Sequence, residues 1–126
     1  MSKAKSSKAG PLDRSPSHLL HRALQRALDL YAHTAGPEAV SQRQYAVLSA
    51  VAADEGLTQS TLVKVTGIDR STLAELVARM IGKGLLERER SVADARAKAV
   101  RLTEAGRAAM QAAAPRAAEA DAALLK

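Results

Sequence analysis

The chain has almost no aromatic residue with which to fill a core. It contains no Phe, no Trp and only two Tyr among 126 residues, whereas Ala occurs 28 times. The core therefore has to be built from Leu, Val, Ala and a few Ile and Met, and Ala and Leu are among the best helix formers. A chain of this length has room for one core of ordinary size. We expect one mainly α-helical domain.

The absence of cysteine and of long apolar segments excludes several classes of protein. Without Cys there is no disulfide, thiolate zinc site or cysteine nucleophile. No run of about 18 apolar residues predicts a transmembrane helix, and no apolar core of a signal peptide occurs. No catalytic Ser, His and acid set and no glycine-rich phosphate loop is recognisable. We expect a soluble cytoplasmic protein that is not an enzyme and uses no cofactor.

Positive charge is concentrated in two segments of the chain. The net charge is +6, from 19 Lys and Arg against 13 Asp and Glu. Residues 1–14 carry four positive charges against Asp13 and little that can be buried, which predicts a disordered basic tail. Residues 85–102 carry five positive charges against three negative charges. Nucleic acid is a partner that fits this charge. The remainder, 15–126, we predict to be the folded domain.

Capping residues and apolar spacing predict two helices before residue 55. The first spans about 16–34, starts after the cap Ser15 and carries a broad apolar stripe. The second spans about 42–53, and Ser41 with Gln44 has the pattern of a capping box.

Two shorter helices follow, joined through a glycine. Thr58 caps the third helix, which stops at Gly67, and Asp69 caps the fourth. Two short helices with a tight glycine turn, here over about 58–83, are typical of a helix-turn-helix. At 100° per residue the apolar side chains of the fourth helix share one side. The outward residues are Arg70, Ser71, Thr72, Glu75, Ala78 and Arg79. From the helix pattern alone, an ordinary solvated face explains this surface equally well.

A basic β-hairpin is predicted after the helix-turn-helix, over about 85–102. Alternating Glu and Arg lead into the polar segment Ser91–Arg96, and Ala97–Leu102 follows as a second arm. A helix-turn-helix followed by such a hairpin is a winged helix. An arginine-rich tip can follow a phosphate backbone or enter a minor groove.

The last helical region begins after the cap Thr103 and contains Pro115. A proline in a helix interior costs roughly 3 kcal/mol. We therefore expect the helix to break near Ala114 and a short final helix to follow, ending at Leu124-Leu125.

Several short motifs together resemble the MarR family of bacterial transcription regulators over about residues 16–112. The segments that carry the resemblance are Gln44–Leu48, Gly56–Gln59, Asp69–Leu73, Lys83–Arg88, Asp94–Arg96 and Val100–Gly106. The resemblance implies a winged-helix homodimer that binds a pseudo-palindromic operator on double-stranded DNA. It implies a nucleoid-associated repressor that a small aromatic or anionic ligand releases. It also implies dimerisation through flanking N- and C-terminal helices, here about 16–34 and 103–125.

The resemblance and the helix pattern together give a set of DNA-binding residues. Asp94 matches the family's wing aspartate, which stabilises the hairpin, and Arg96 matches the arginine that enters the minor groove. We expect Arg70, Ser71 and Thr72 to face the major groove. The other predicted DNA contacts are Gln59, Ser60, Arg79, Arg88, Arg90 and Lys98. Ala74 and Glu75 differ from the family pattern, and Glu75 either accepts from a cytosine amino group or repels phosphate.

Three further interpretations remain open at this point. Tyr31 and Tyr45 either line a ligand pocket or are plain core packing. His18 and His21 lie one turn apart, as metal ligands can, but a solvated histidine pair explains them better. The alternative to a DNA regulator is a winged-helix protein-interaction module that does not read DNA sequence.

Overall fold

A computed structural model of the chain describes residues 10–89 and 99–126. Five α-helices accompany a small three-stranded antiparallel sheet, so the predicted mainly α, winged helix-turn-helix fold is confirmed. None of the helices in these two ranges is long and apolar enough to cross a bilayer. The helices are α1 (Pro16–Ala35), α2 (Gln42–Ala53), α3 (Gln59–Thr66), α4 (Arg70–Gly82) and α5 (Glu104–Leu124), and the strands are β1 (Leu57–Thr58), β2 (Leu86–Glu89) and β3 (Ala99–Leu102).

Each α-helix begins at the capping residue that the sequence indicates. The capping box of α2 is complete, because Gln44 N donates to Ser41 Oγ at 3.1 Å and Ser41 N donates to Gln44 Oε1 at 2.9 Å. Such a cap satisfies backbone N–H groups that have no partner within the helix. The caps of the other helices are Ser15, Thr58, Asp69 and Thr103. The predicted starts of all five helical regions are thereby confirmed.

The sheet has the order β1-β3-β2, with β3 in the middle. Strands β2 and β3 are the two arms of the predicted hairpin, and Glu87 lies opposite Arg101 in their register. The short strand β1 was not predicted, because two residues are too few to show an alternating pattern. Its pairing with β3 attaches the hairpin to the start of the helix-turn-helix.

One aliphatic core lies between α2, α3, α4 and the sheet. Its largest fully buried side chains are Leu48, Leu62, Leu73, Met80 and Leu86. This composition agrees with the expectation from the missing aromatics. Helices α1 and α5 pack along each other beside this core. The buried residues of these two helices are Tyr31 on α1 and small residues on α5, so the two helices lie close together.

The predicted break at Pro115 is wrong, because α5 is one continuous helix of 21 residues. Pro115 is exposed, so its ring lies in solvent while the helix loses one backbone N–H donor. Ala113 and Ala120, on either side of the proline, are both buried. Packing of both halves against the rest of the chain outweighs the local cost of the proline.

A short element lies within the predicted basic tail of residues 1–14. Gly10–Arg14 form a short 3₁₀ helix, and Ser15 N donates to Leu12 O at 3.1 Å. Pro11 restricts the backbone of this turn, which favours a compact start before α1. Residues 1–9, the rest of the predicted tail, lie outside the described residues.

Gly106, in the first turn of α5, lies very close to the backbone of Leu85, just before β2. A Cβ at this position would lie 1.9 Å from Leu85 O, a backbone atom that has no rotamer with which to move away. We predict that Gly106→Ala lowers the free energy of unfolding by about 1–3 kcal/mol, measured by urea denaturation.

Gly82→Ala is the matched control for this substitution. Nothing lies within 4 Å of a Cβ at residue 82, and alanine is the better helix former there. We expect the control variant to be unchanged or more stable by up to ~1 kcal/mol. Equal loss of stability in the two variants would show that the close approach to Leu85 is not what constrains residue 106.

Candidate nucleic-acid interface

A tight turn at Gly67 sets the angle between α3 and α4. Gly67 has a left-handed backbone conformation, with φ of 74°, which ends α3 at little cost for a residue without Cβ. Thr66 Oγ1 donates to Leu62 O at 2.7 Å and accepts from Ile68 N at 3.2 Å. Ile68 is buried, and Asp69 then caps α4. The turn therefore anchors α4 from its first residue.

Helix α4 divides cleanly into a buried side and an exposed side. Leu73, Val77 and Met80 are fully buried, as the apolar spacing predicts. Of the residues predicted to point outward, all but Thr72 are exposed, and Thr72 is half-buried. The exposed ones are Arg70, Ser71, Glu75, Ala78 and Arg79, and Ala74, which was not predicted to point outward, is exposed as well. A helix with one free face of short side chains can approach base edges in a major groove.

The carboxylate of Asp69 organises the first turn of α4. Asp69 Oδ1 accepts from Thr72 N at 2.9 Å and from Ser71 Oγ at 3.1 Å, and its Oδ2 accepts from Thr72 Oγ1 at 2.8 Å. The backbone N–H and then the hydroxyl of Thr72 hold the pKa of Asp69 below its usual value, with smaller contributions from Ser71 and Arg43. Asp69 is therefore ionised at neutral pH.

Two arginines connect the start of α3 to its neighbours. Arg88 Nη1, on β2, donates to Gln59 Oε1 at 2.6 Å, and Arg70 Nη1, on α4, donates to Ser60 Oγ at 3.4 Å. The structure thus brings four predicted site residues together on three elements. Charge-assisted hydrogen bonds of this kind position side chains as well as adding energy.

Arg79 is the predicted residue that the structure does not bring to this cluster. It lies nine residues after Arg70, which corresponds to about 14 Å along the helix and to its opposite flank. The two arginines therefore bracket the exposed face of α4 from either side. Arg90, Asp94, Arg96 and Lys98 lie outside the described residues, so their assignment stays a prediction.

Arg101 and Arg88, on the two strands of the hairpin, have different hydrogen-bond partners. Arg101 Nε lies 3.0 Å from Glu87 Oε2, its partner across the hairpin, and both side chains are exposed. An exposed pair of this kind contributes roughly 0–1 kcal/mol to stability. The carboxylate nevertheless compensates much of the local charge of Arg101, whereas the guanidinium of Arg88 is bound to a neutral amide.

Glu55 is a structurally important residue that was not predicted from the sequence. Its Oε2 accepts from Leu102 N at 3.1 Å, and its Oε1 accepts from Arg107 Nη2 at 2.6 Å. One carboxylate therefore joins the loop before β1, the end of β3 and the first turn of α5. The partners lie 47 and 52 residues away, and no local pattern in the sequence predicts them.

Tyr31 and Tyr45 both line a cavity of about 280 Å³ between α1, α2 and α5. Tyr31 is buried and its hydroxyl donates to Val40 O at 2.7 Å. Burial raises the pKa of the Tyr31 hydroxyl above its usual value of 10.0, with neighbouring Tyr45 as the second cause. Ser49 and Asp121 also line the cavity, and Ser49 Oγ is buried with no hydrogen-bond partner among the described residues.

The histidines do not form a metal site with other ligands in the described part of the chain. The rings of His18 and His21 lie 6.4 Å apart on α1. No group of three His, Asp or Glu side chains there has the geometry to hold a metal ion.

Comparison with known proteins confirms the resemblance. A sequence model described as the MarR family matches residues 40–97. The transcriptional regulator HosA of Escherichia coli is 40% identical over 76 residues, which cover 60% of this chain and 56% of HosA. The chain thus spans little more than half the length of this curated relative.

Solved structures extend the match over most of the chain. The PcaV transcriptional regulator from Streptomyces coelicolor, in complex with its natural ligand, is 37% identical, with a TM-score of 0.82 over 90% of this chain and 80% of PcaV. The transcriptional repressor CouR, bound to a 23-mer DNA duplex, is 29% identical, with a TM-score of 0.77 over 87% of this chain and 78% of CouR. These proteins are transcriptional regulators rather than enzymes. The identity to PcaV over most of both chains, together with the match to the family's sequence model, shows that this chain belongs to the MarR family.

Proposed function

We propose that this chain is a transcriptional repressor that binds duplex DNA through α4 and the residues around it. The observation that carries the proposal is the exposed face of α4, with its short side chains and an arginine on each flank. Arg70, Ser71 and Thr72 lie at the helix N-terminus, where recognition helices make most base contacts. A similar protein, CouR, is solved bound to a DNA duplex, which supports this use of the fold.

Gln59, Ser60 and Arg88 form the phosphate-binding part of the proposed site. Phosphate contacts position a protein on the duplex without reading its sequence. Among the described residues, only the Gln59 oxygen is used, by Arg88, and its amide NH₂ is left as a donor. Arg79 contacts the backbone on the other flank. On the wing, Arg90, Arg96 and Lys98 bind DNA and Asp94 stabilises the hairpin.

The proposed repressor acts as a homodimer on a pseudo-palindromic operator. The described residues leave leucines on α1 and at the end of α5 uncovered, with Leu20 72% and Leu125 87% exposed. Leu24, one turn after Leu20, extends this exposed apolar surface, and Leu19 lies beside it. A second copy covers such a surface best, because α1 and α5 already lie side by side. Two-fold symmetry in the protein then requires two DNA half-sites.

A small effector in the cavity beside Tyr31 and Tyr45 completes the proposal. Two aromatic side chains suit a flat aromatic molecule. The carboxylate of Asp121 disfavours a negative charge at its side of the cavity. Of an aromatic and an anionic effector, the aromatic one is therefore favoured. PcaV, which has a similar structure, is solved with a natural ligand. The proposed place of action is the cytoplasm, on the nucleoid.

Sequencing of genomic fragments retained by the purified protein tests the repressor proposal. A recurring sequence with inverted half-sites, whose binding falls steeply with salt, is the expected result. Retention of no duplex at any salt concentration would support the protein-interaction module in its place.

The dimer proposal predicts that Leu20→Glu separates the protomers. A charge within the apolar face of α1 should raise the dimer dissociation constant by about 30-fold or more, equivalent to ~2 kcal/mol. Light scattering over a dilution series measures this change. Val65→Glu, at a position on α3 that is 62% exposed, is the matched control and should leave the dimer intact. A monomeric wild type, or equal behaviour of the two variants, would contradict the proposed interface.

The two arginines of the hairpin predict different effects on DNA binding. Arg88→Ala should weaken binding to all duplexes alike and lower the slope of log K against log salt by about 1. Arg101→Ala removes the same charge, but Glu87 already compensates it, so the change should be smaller. Fluorescence anisotropy at several salt concentrations measures both slopes. Identical slopes in the two variants would mean that the hairpin acts only as diffuse charge.

A further inference from the structure

The hydroxyl groups at the start of α4 already use their O–H groups as hydrogen-bond donors within the protein. Ser71 Oγ and Thr72 Oγ1 both donate to the carboxylate of Asp69, at 3.1 and 2.8 Å. A carboxylate can only accept, and a hydroxyl has one proton but two lone pairs. Towards a ligand in front of the helix, Ser71 therefore presents an acceptor and no donor.

The centre of the exposed face of α4 contains no donor side chain. Helical geometry places Ser71, Glu75 and Ala78 within about 60° of one another, whereas Arg70 and Arg79 lie on opposite flanks. Glu75 is exposed, and none of the ion pairs among the described residues involves it. The middle of the face thus consists of two acceptors one turn apart and a methyl group.

Only some base edges complement such a surface. In the major groove the donors are the N4 amino group of cytosine and the N6 amino group of adenine, and glutamate characteristically accepts from cytosine N4. The common contact from arginine or lysine to guanine is unavailable at this position. The methyl group of Ala78 can contact only apolar parts of a base, such as the methyl of thymine.

We infer that Glu75 determines sequence specificity by accepting a hydrogen bond from a cytosine N4 amino group, with Ser71 as a second acceptor one turn earlier. This inference rests on the proposed function, since it assumes that α4 enters a major groove. It identifies the operator feature that the centre of α4 reads: a cytosine opposite Glu75 in each half-site.

The negative charge of Glu75 gives this contact a second effect. A carboxylate close to phosphate groups weakens binding to every duplex by repulsion. An amino group opposite Glu75 offsets this repulsion only at the correct base. Glu75 therefore lowers overall affinity while it raises the ratio of specific to non-specific binding.

Selection from a random-sequence duplex pool with wild type, Glu75→Ala and Glu75→Gln tests the inference. Wild type should enrich a cytosine at one position of each half-site. That preference should disappear in Glu75→Ala, whose binding to unrelated duplexes should become tighter. In Glu75→Gln it should shift towards adenine, which glutamine contacts through N6 and N7. Glu38→Ala, which removes an exposed glutamate between α1 and α2, is the matched charge control and should keep the wild-type preference.

A second measurement addresses the N4 amino group itself. The enriched duplex is compared with one that carries 2-pyrimidinone, which lacks this amino group, in place of the cytosine. Wild type should lose about tenfold in affinity and Glu75→Ala almost nothing. If wild type and Glu75→Ala enrich the same sequence with equal discrimination, the inference is overturned while the proposed function stands. If wild type enriches no sequence, the proposed function fails and the inference fails with it.

Discussion

The close approach of Gly106 to the backbone of Leu85 determines how the pair of helices α1 and α5 is oriented relative to the helix-turn-helix. Thr103 N donates to Leu85 O at 3.2 Å, and one turn of α5 follows directly against the wing. Only a residue without Cβ fits there, because a methyl group would overlap the carbonyl oxygen. Helix α5 in turn packs along α1. The orientation of this helix pair relative to α4 is therefore set by backbone contacts.

Glu55 reinforces this arrangement from the opposite side of β3. Its carboxylate binds a backbone N–H of the wing and the guanidinium of Arg107 at the same time. Because the two contacts share one carboxylate, movement of α5 relative to β3 breaks at least one of them. The contacts of Gly106 and Glu55 together attach the first turn of α5 to both sides of the sheet.

Much of the fold was predictable because its signals are local. A capping residue and its partner are three positions apart, as with Ser41 and Gln44, and the apolar spacing of α4 repeats within one helix. Pro115 shows where a local rule fails. The cost of the proline is set within one turn, but the gain from burying Ala113 and Ala120 comes from distant parts of the chain.

The candidate site was predictable in part, for the same reason. Helical geometry alone places Ser71 and Glu75 on the free face of α4. The bond between Arg88 and Gln59 joins residues 29 positions apart, and the sequence contains no sign of it. Nor does the sequence show that the Ser71 and Thr72 hydroxyls donate hydrogen bonds to Asp69, since these bonds depend on the exact conformation of the first turn.

The two tyrosines at the cavity have a consequence for spectroscopy. The chain has no Trp and no Phe, so Tyr31 and Tyr45 are its only sources of near-ultraviolet absorption and intrinsic fluorescence. Both lie at the same cavity, one of them buried with its hydroxyl bound to Val40 O. The protein therefore carries a built-in optical reporter confined to one place. A molecule that enters this cavity would change the whole aromatic signal of the chain, whereas changes at the exposed face of α4, which has no aromatic residue, would leave that signal nearly unchanged.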